Sequence, residues 1–190
     1  VSFISYNKYQ MGNRIGNLLN NLLTIEGKNS GTIAIIQNTA LFDQDQAFAI
    51  QEALVEGFVV RPITVTDESD RILNAEGLAL SIINEYDDLR AFICLSGKET
   101  LGVVSALKDA NLVDEVIIIG SDDDEEILDY ISRGVVDATI VADIRSIGYD
   151  AIWDLTKYND GLFVTQYRDI SVKIINRTNL GAYLKEVGEQ

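Results

Sequence analysis

The sequence predicts an α/β protein with a doubly wound, mainly parallel sheet. Two observations carry that reading. Short runs rich in Ile and Val, apolar on both faces, recur along the chain, as buried parallel strands covered by helices on both sides do. Between them lie longer stretches whose apolar residues repeat at helical spacing. Strict alternation of the two kinds implies a parallel sheet with crossover helices.

The elements follow in order. Strands are expected near "VSFIS" (2–6), "TIAIIQ" (32–37), "GFVVRPITV" (57–65), "RAFICL" (90–95), "EVIIIG" (115–120) and "DATIVA" (137–142). Helices are expected over 10–24, where Met11, Ile15, Leu18, Leu19 and Leu22 form a stripe, and over 43–56, 70–85, 98–109, 124–133 and 145–157. Asp43, Asp70 and Asp122 or Asp123 stand where N-caps belong, and Gly57 and Gly134 where C-caps belong. The rhythm then changes: "GLFVT" and "SVKIIN" read as two closely spaced strands, and a short helix begins near Asn179. The chain opens on a strand-like run without a start methionine, which reads as a piece of something longer.

Composition narrows the function. The chain has 190 residues, enough for one large domain or two small lobes, and 47% of them are hydrophobic. A formal net charge of -15 repels phosphate backbones, so nucleic-acid binding is not expected. With no histidine, Ser-His-Asp and Cys-His catalysis are excluded and the commonest metal ligand is missing. Cys94, the only cysteine, sits among apolar residues and reads as a small buried hydrophobe. No run approaches the length of a membrane span, and no signal-peptide pattern is present in these residues.

The carboxyl ends of parallel strands are where such sheets bind ligands. Those ends fall at Ser5 to Lys8, Gln37 to Thr39, Thr66 to Asp70, Ser96 to Lys98, Ser121 to Asp123 and Ala142 to Arg145, mostly small or polar residues. No strand is followed by a glycine-rich phosphate fingerprint, so no nucleotide cofactor is expected. Gly12 and Gly16 lie within a helical pattern and read as sites of close helix packing. The acids of "SDDDEE" (121–126) lack the spaced pattern of a calcium loop, and no metal is assigned to them. They read as a helix start whose charges complement the dipole, with Asp122 alone facing a ligand. "SYNK" and "CLSGK" do not supply the acids and lysine of a phosphorylated receiver domain. Trp153, on an amphipathic helix with Ile152 and Leu155, reads as a core or lobe-interface residue.

The order of these segments resembles the type I periplasmic binding proteins, the ribose-binding-like family that also includes the effector domains of LacI-type repressors. "SYNKYQMGNRIGNLL" is similar to the family's strand-Asp-Asn-x-x-x-Gly-x-x-x-Gly-helix passage. "TIAIIQNTALFDQDQAFAIQEAL" resembles the next strand and the helix bearing Arg-x-x-Gly-Phe. "RAFICLSGKETLGVVSAL" resembles the strand ending in Asn-Asp and its Leu-Gly helix. "EVIIIGSDDDEEILDYISRGVVDATIVADIRSIGYDAI" resembles Val-Val-Gly-Phe-Asp, a helix, Ala-Thr and Pro-x-x-x-Gly. The match is to the C-terminal three-fifths or so of such a protein.

The resemblance implies one complete lobe, residues 8–142, and part of a second. Residues 1–7 and 143–190 would be hinge crossings, remnants of the N-terminal lobe and a tail. It places the ligand corner at Asn7, Gln46, Ser69 or Asp70, Ser96, Asp122 and Ala142. Only Asp122 keeps the family's usual residue. Asn7 stands where Asp is common, Gln46 where an Arg often grips a sugar hydroxyl, Ser96 for Asn, and Ala142 for a polar residue. Ile144 stands near the place of a missing Pro. The implied function is binding of a small, sugar-like polar solute between two lobes that close about a hinge, without chemistry or cofactor. The implied partners are an ABC permease or a sensor kinase at an extracytoplasmic membrane face, with a homodimer through the exposed N-lobe elements as a further expectation. Two alternatives stay open: a LacI-type effector domain, although the Gly-His-Arg lead-in is absent, and a small α/β enzyme using Lys98 and the strand-end acids.

Overall fold

A computed structural model of the chain describes residues 2–38, 44–66 and 69–188. The elements run β1 (Phe3–Ser5), α1 (Lys8–Ile25), β2 (Gly31–Asn38), α2 (Gln44–Ala53), β3 (Phe58–Val65), α3 (Arg71–Glu85), β4 (Leu89–Cys94), α4 (Gly97–Asp109), β5 (Ile117–Ser121), α5 (Glu125–Arg133), β6 (Ala138–Ala142), α6 (Ile144–Asn159), β7 (Tyr167–Asp169), β8 (Val172–Asn176) and α7 (Leu180–Gly188). The main sheet has the order β3-β2-β4-β5-β6-β8. Its pairings are parallel except the last, where β8 runs antiparallel to β6. β1 and β7 form a separate two-stranded parallel sheet.

The alternation of β2, β4 and β5 sorts side chains to two faces. Ile33, Ile35, Ile93, Ile117 and Ile119 meet the α1 stripe of Met11, Ile15, Leu19 and Leu23, and Ile50 of α2. Ala34, Ile36, Phe92 and Ile118 meet Ala75, Ala79, Val103, Val104 and Leu107 of α3 and α4, with Ile127, Ile131, Leu180 and Tyr183. Both faces are covered, which is why these strands read as continuous apolar runs. Cys94 is buried there, and burial pushes its thiol far above the ordinary range.

Gly12 and Gly16 act as their helical setting suggests. A Cβ at Gly12 would stand 2.5 Å from Gln46 O, and one at Gly16 would stand 2.6 Å from Ala53 Cβ, so their absence lets α1 and α2 touch. Gly134 closes α5 in the left-handed conformation, φ 79°.

Three local expectations are corrected. "GLFVT" is not a strand: residues 162–165 follow the left-handed Gly161, Leu162 and Phe163 are exposed, and the strand forms later, at Tyr167–Asp169, where β1 offers a partner. α5 is preceded by Asp124, whose side chain makes no capping bond, whereas Asp122 and Asp123 bond elsewhere. α2 ends at Ala53, so Gly57 is not its C-cap but a turn residue before β3. Asp70 does cap α3, accepting the Leu73 N–H at 3.1 Å. Asp43 and Thr39 lie outside the described residues.

The small sheet packs with α6 through polar contacts. Arg168 Nη2 stands 2.6 Å from Asp154 Oδ1 and its Nη1 stands 3.2 Å from Asp150, while Ser2 Oγ donates to Asp154 at 2.8 Å. The Ser2 hydroxyl and then Arg168 hold the Asp154 carboxyl below its ordinary pKa. The apolar face of α6 is open: Ile144, Tyr149, Ile152, Trp153, Leu155 and Tyr158 are exposed. Tyr149 and Trp153 stack on that surface with centroids 6.4 Å apart, so Trp153 is not a core residue here. Among the described residues no helix is long and apolar enough to cross a membrane.

Candidate ligand-binding rim

Parallel pairing puts the carboxyl ends of β3, β2, β4, β5 and β6 along one rim. The helices that follow the strands start there, so their free N–H groups gather at the same edge. The predicted residues lie along this rim in three separate places.

One corner joins Ser96 and Asp122. Asp122 follows β5 with φ 72°, a left-handed turn that non-glycine residues rarely adopt. That turn carries its carboxylate across to α4, where Oδ2 accepts the Gly97 N–H at 2.7 Å. The residue is exposed as a whole, but the carboxylate tucked against α4 loses water. This desolvation raises its pKa, Asp124 and Asp123 add to the effect, and the Gly97 N–H and Arg71 oppose it. Ser96 precedes α4 yet makes no capping bond with its side chain. It accepts instead from Arg71 Nη2 at 2.9 Å. Ser69 and Asp70, beside Arg71 in sequence, are exposed.

A second place is formed by α1 and α2. Asn7 caps α1, Oδ1 accepting the Gln10 N–H at 2.9 Å, and its own N–H donates to Asp169 of β7. A cavity of about 200 Å³ opens beside it, lined by Tyr6, Gln10, Arg14 and Asp169 to Val172. Gln46 is buried against α1 at Gly12.

Ala142 lies at a third place. It lines a cavity of about 230 Å³ with Asp123, Asp143, Arg145, Lys173 and Tyr183. Tyr183 donates to Asp123; burial of the ring, and then the bond to that carboxylate, raises the phenol's pKa. Thus the seven predicted residues share a rim, and the two cavities described take in Asn7 and Ala142 separately.

Two residues of this rim, Arg71 and Glu99, went unread in the sequence, and a third, Gln37, was read only as a strand end. Arg71 and Glu99 form a buried pair, Nη2 to Oε1 2.7 Å and Nε to Oε1 3.2 Å, between α3 and α4. Glu99 is 0% exposed, and its Oε2 has no partner among the described residues. The available signal was its position: Glu99 falls on the apolar stripe it shares with Thr100, Val103 and Leu107. Gln37, at the end of β2, is 1% exposed, and neither polar atom of its side chain finds a partner among the described residues.

The rim gathers hydroxyl, amide and carboxylate groups, and among the described residues no three acids, cysteines or histidines cluster as metal ligands do. The sequence profile of the periplasmic binding protein domain family matches residues 1–162, and the chain belongs to that family. The fold is similar to that of GanP, a glucose-galactose binding protein from Geobacillus stearothermophilus (TM-score 0.81, 23% identity, covering 95% of this chain and 64% of that one). It is similar also to a carbohydrate transporter solute binding protein from Agrobacterium radiobacter in complex with D-arabinose (TM-score 0.82, 21% identity, 98% and 64%). A third similar structure is a mutant form of the XylFII-LytSN complex (TM-score 0.72, 24% identity, 95% and 71%). A search of curated proteins finds no match. The type I resemblance read from the sequence is borne out. The chain spans about 64% of the length of the first two structures, one lobe and part of another.

Proposed function

We propose that this chain is a sugar-binding module that holds a small neutral polyol at the rim and performs no chemistry. The observation that carries this reading is the Ser96–Asp122 corner. There a carboxylate at a strand end keeps Oδ1 available beside a serine hydroxyl, the acceptor and donor that a sugar hydroxyl needs. The sugar-binding relatives named above support it. Residues 8–142 would form the ligand-carrying lobe, with Asn7, Gln46, Asp70 and Ala142 approaching the ligand when a second lobe closes over the rim. The location is extracytoplasmic. The test is a heteronuclear NMR titration of the chain with D-arabinose, D-glucose and D-galactose. Amide shifts centred on Ser96 to Lys98 and Asp122, reduced at least several-fold in affinity by Asp122→Ala, are expected; shifts scattered or absent would end the reading.

The open face of α6 favours a further element of this function, contact with a second protein. A second copy, a permease or a sensor domain would each cover Ile152, Trp153 and Tyr158. Sedimentation of the purified chain is expected to show association through this face. A folded monomer that binds little hydrophobic dye would refute it.

A further inference from the structure

We infer that Arg71 is a positioning residue of the rim, which orients the Ser96 hydroxyl so that its proton points to a ligand oxygen. The inference rests on the sugar-binding reading and deepens it.

A guanidinium can only donate, so in the Arg71 Nη2 to Ser96 Oγ contact of 2.9 Å the serine oxygen accepts. The Ser96 hydroxyl has one proton, and no described group receives it. A serine in this place ordinarily turns inward and accepts an N–H of the first helical turn. Ser96 does not: its Oγ accepts from Arg71, and Asp122 Oδ2 takes the first N–H of the helix, that of Gly97. The acid satisfies the first N–H of the helix, and the serine oxygen is turned to Arg71.

Arg71 is held for this task. Its Nη2 carries two protons, one directed to Glu99 Oε1 at 2.7 Å and one to Ser96, and Nε also reaches Oε1 at 3.2 Å. The planar fork permits all three contacts at once, which a lysine ammonium on a flexible stem does not reproduce. Glu99 is fully buried, and Gly102, where a Cβ would stand 2.5 Å from Ile72 O, keeps α3 and α4 close enough for the pair to form. Glu99 uses one oxygen twice and leaves Oε2 unpartnered among the described residues. A buried carboxylate kept half satisfied is a poor choice for stability alone. It fits a pair whose duty is to fix the angle of Arg71. The ligand feature it reads is a free hydroxyl, which accepts from Ser96 and donates to an acceptor such as Asp122.

The test is a double-mutant cycle on the native chain, with D-arabinose, D-galactose and their deoxy analogues as probes and NMR titration as readout. Arg71→Met is expected to weaken binding roughly tenfold in the native background, the loss of one good hydrogen bond. In the Ser96→Ala background it is expected to weaken binding less than twofold, because the oriented group is already gone. Arg71→Lys is expected not to restore affinity, and the variant is expected to lose discrimination against one deoxy analogue. Should Arg71→Met unfold the chain by stranding Glu99, Arg71→Met with Glu99→Leu removes both charges and serves in its place. Equal weakening in the two backgrounds, or none, overturns the role of Arg71 while the sugar-binding reading stands. No response of the native chain to any probe overturns that reading and the role of Arg71 with it.

Discussion

The two sheets of this protein meet different fates. β2, β4 and β5 are apolar on both faces, and helices cover both faces. β1 and β7 are three residues each, and α6 beside them carries an apolar stripe of equal quality that nothing covers: Ile152 is 70% exposed, and Phe163 in the segment beyond is 86% exposed. What ties the small sheet to α6 is polar, the Arg168 bridge to Asp150 and Asp154. An amphipathic pattern therefore records the layer a helix is built to meet, whether or not that layer is among the described residues.

The largest expected effect sharpens this contrast. Phe92 is fully buried at the centre of β4, and Phe92→Ala should cost about 3–5 kcal/mol in transfer and cavity energy. At a protein concentration too low for association through α6, Ile152→Ser, at a residue of comparable apolar character, should change stability by no more than about 0.5 kcal/mol and lower hydrophobic-dye binding. Urea midpoints of the two variants measure the comparison. Comparable losses would mean that a partner buries α6 in solution.

A smaller effect comes from inside the large sheet. Gln37 holds an amide in the apolar interior with no described partner, and such a group costs about 1–3 kcal/mol when buried. Gln37→Leu removes the polar atoms at similar size, so thermal unfolding should show a gain of about 1 kcal/mol. A loss of that size would reveal that the amide is satisfied, and the site would then be structural.

How far the sequence could be read follows the same contrast. The six β-α units were legible because the covered strands and their helices carry the periods that burial imposes, as Ile33 and Ile35 on one face and Ala34 and Ile36 on the other display. The strand misplaced at 161–165 belongs to the uncovered part, where apolar composition no longer reports pairing. Ser96 and Asp122 were found from strand ends. Their division of labour was not, because it depends on the left-handed turn at Asp122 and on Arg71 arriving from another helix, 25 residues away in sequence. Local propensity treats "SDRIL" and "GKETL" as solvated helix starts; only the close approach of α3 and α4 turns Arg71 and Glu99 into a buried pair.

The smallest effect concerns the sign of the charge at the rim. The Asp122 carboxyl ionises above its ordinary 3.8, chiefly because packing against α4 strips it of water. A group with a raised folded pKa favours the folded state while protonated, and that contribution is lost as pH rises through the folded value. Ionising Asp122 therefore costs folding free energy relative to its protonated form, although Oδ2 accepts the Gly97 N–H. Asp122→Asn keeps an acceptor for that N–H and removes the charge. The variant should be more stable than the native chain at pH 7, and the difference should shrink as pH falls and vanish near and below the ordinary carboxyl value, where both side chains are neutral. The same variant should bind sugar more weakly at pH 7, since an amide oxygen accepts less strongly than a carboxylate. Thermal unfolding across pH, read beside the sugar titration, separates the two effects. A variant less stable at pH 7 would mean that the bond to Gly97 needs the charge, and the strand-end acid would then belong to the large sheet's own framework, whatever it does for a ligand.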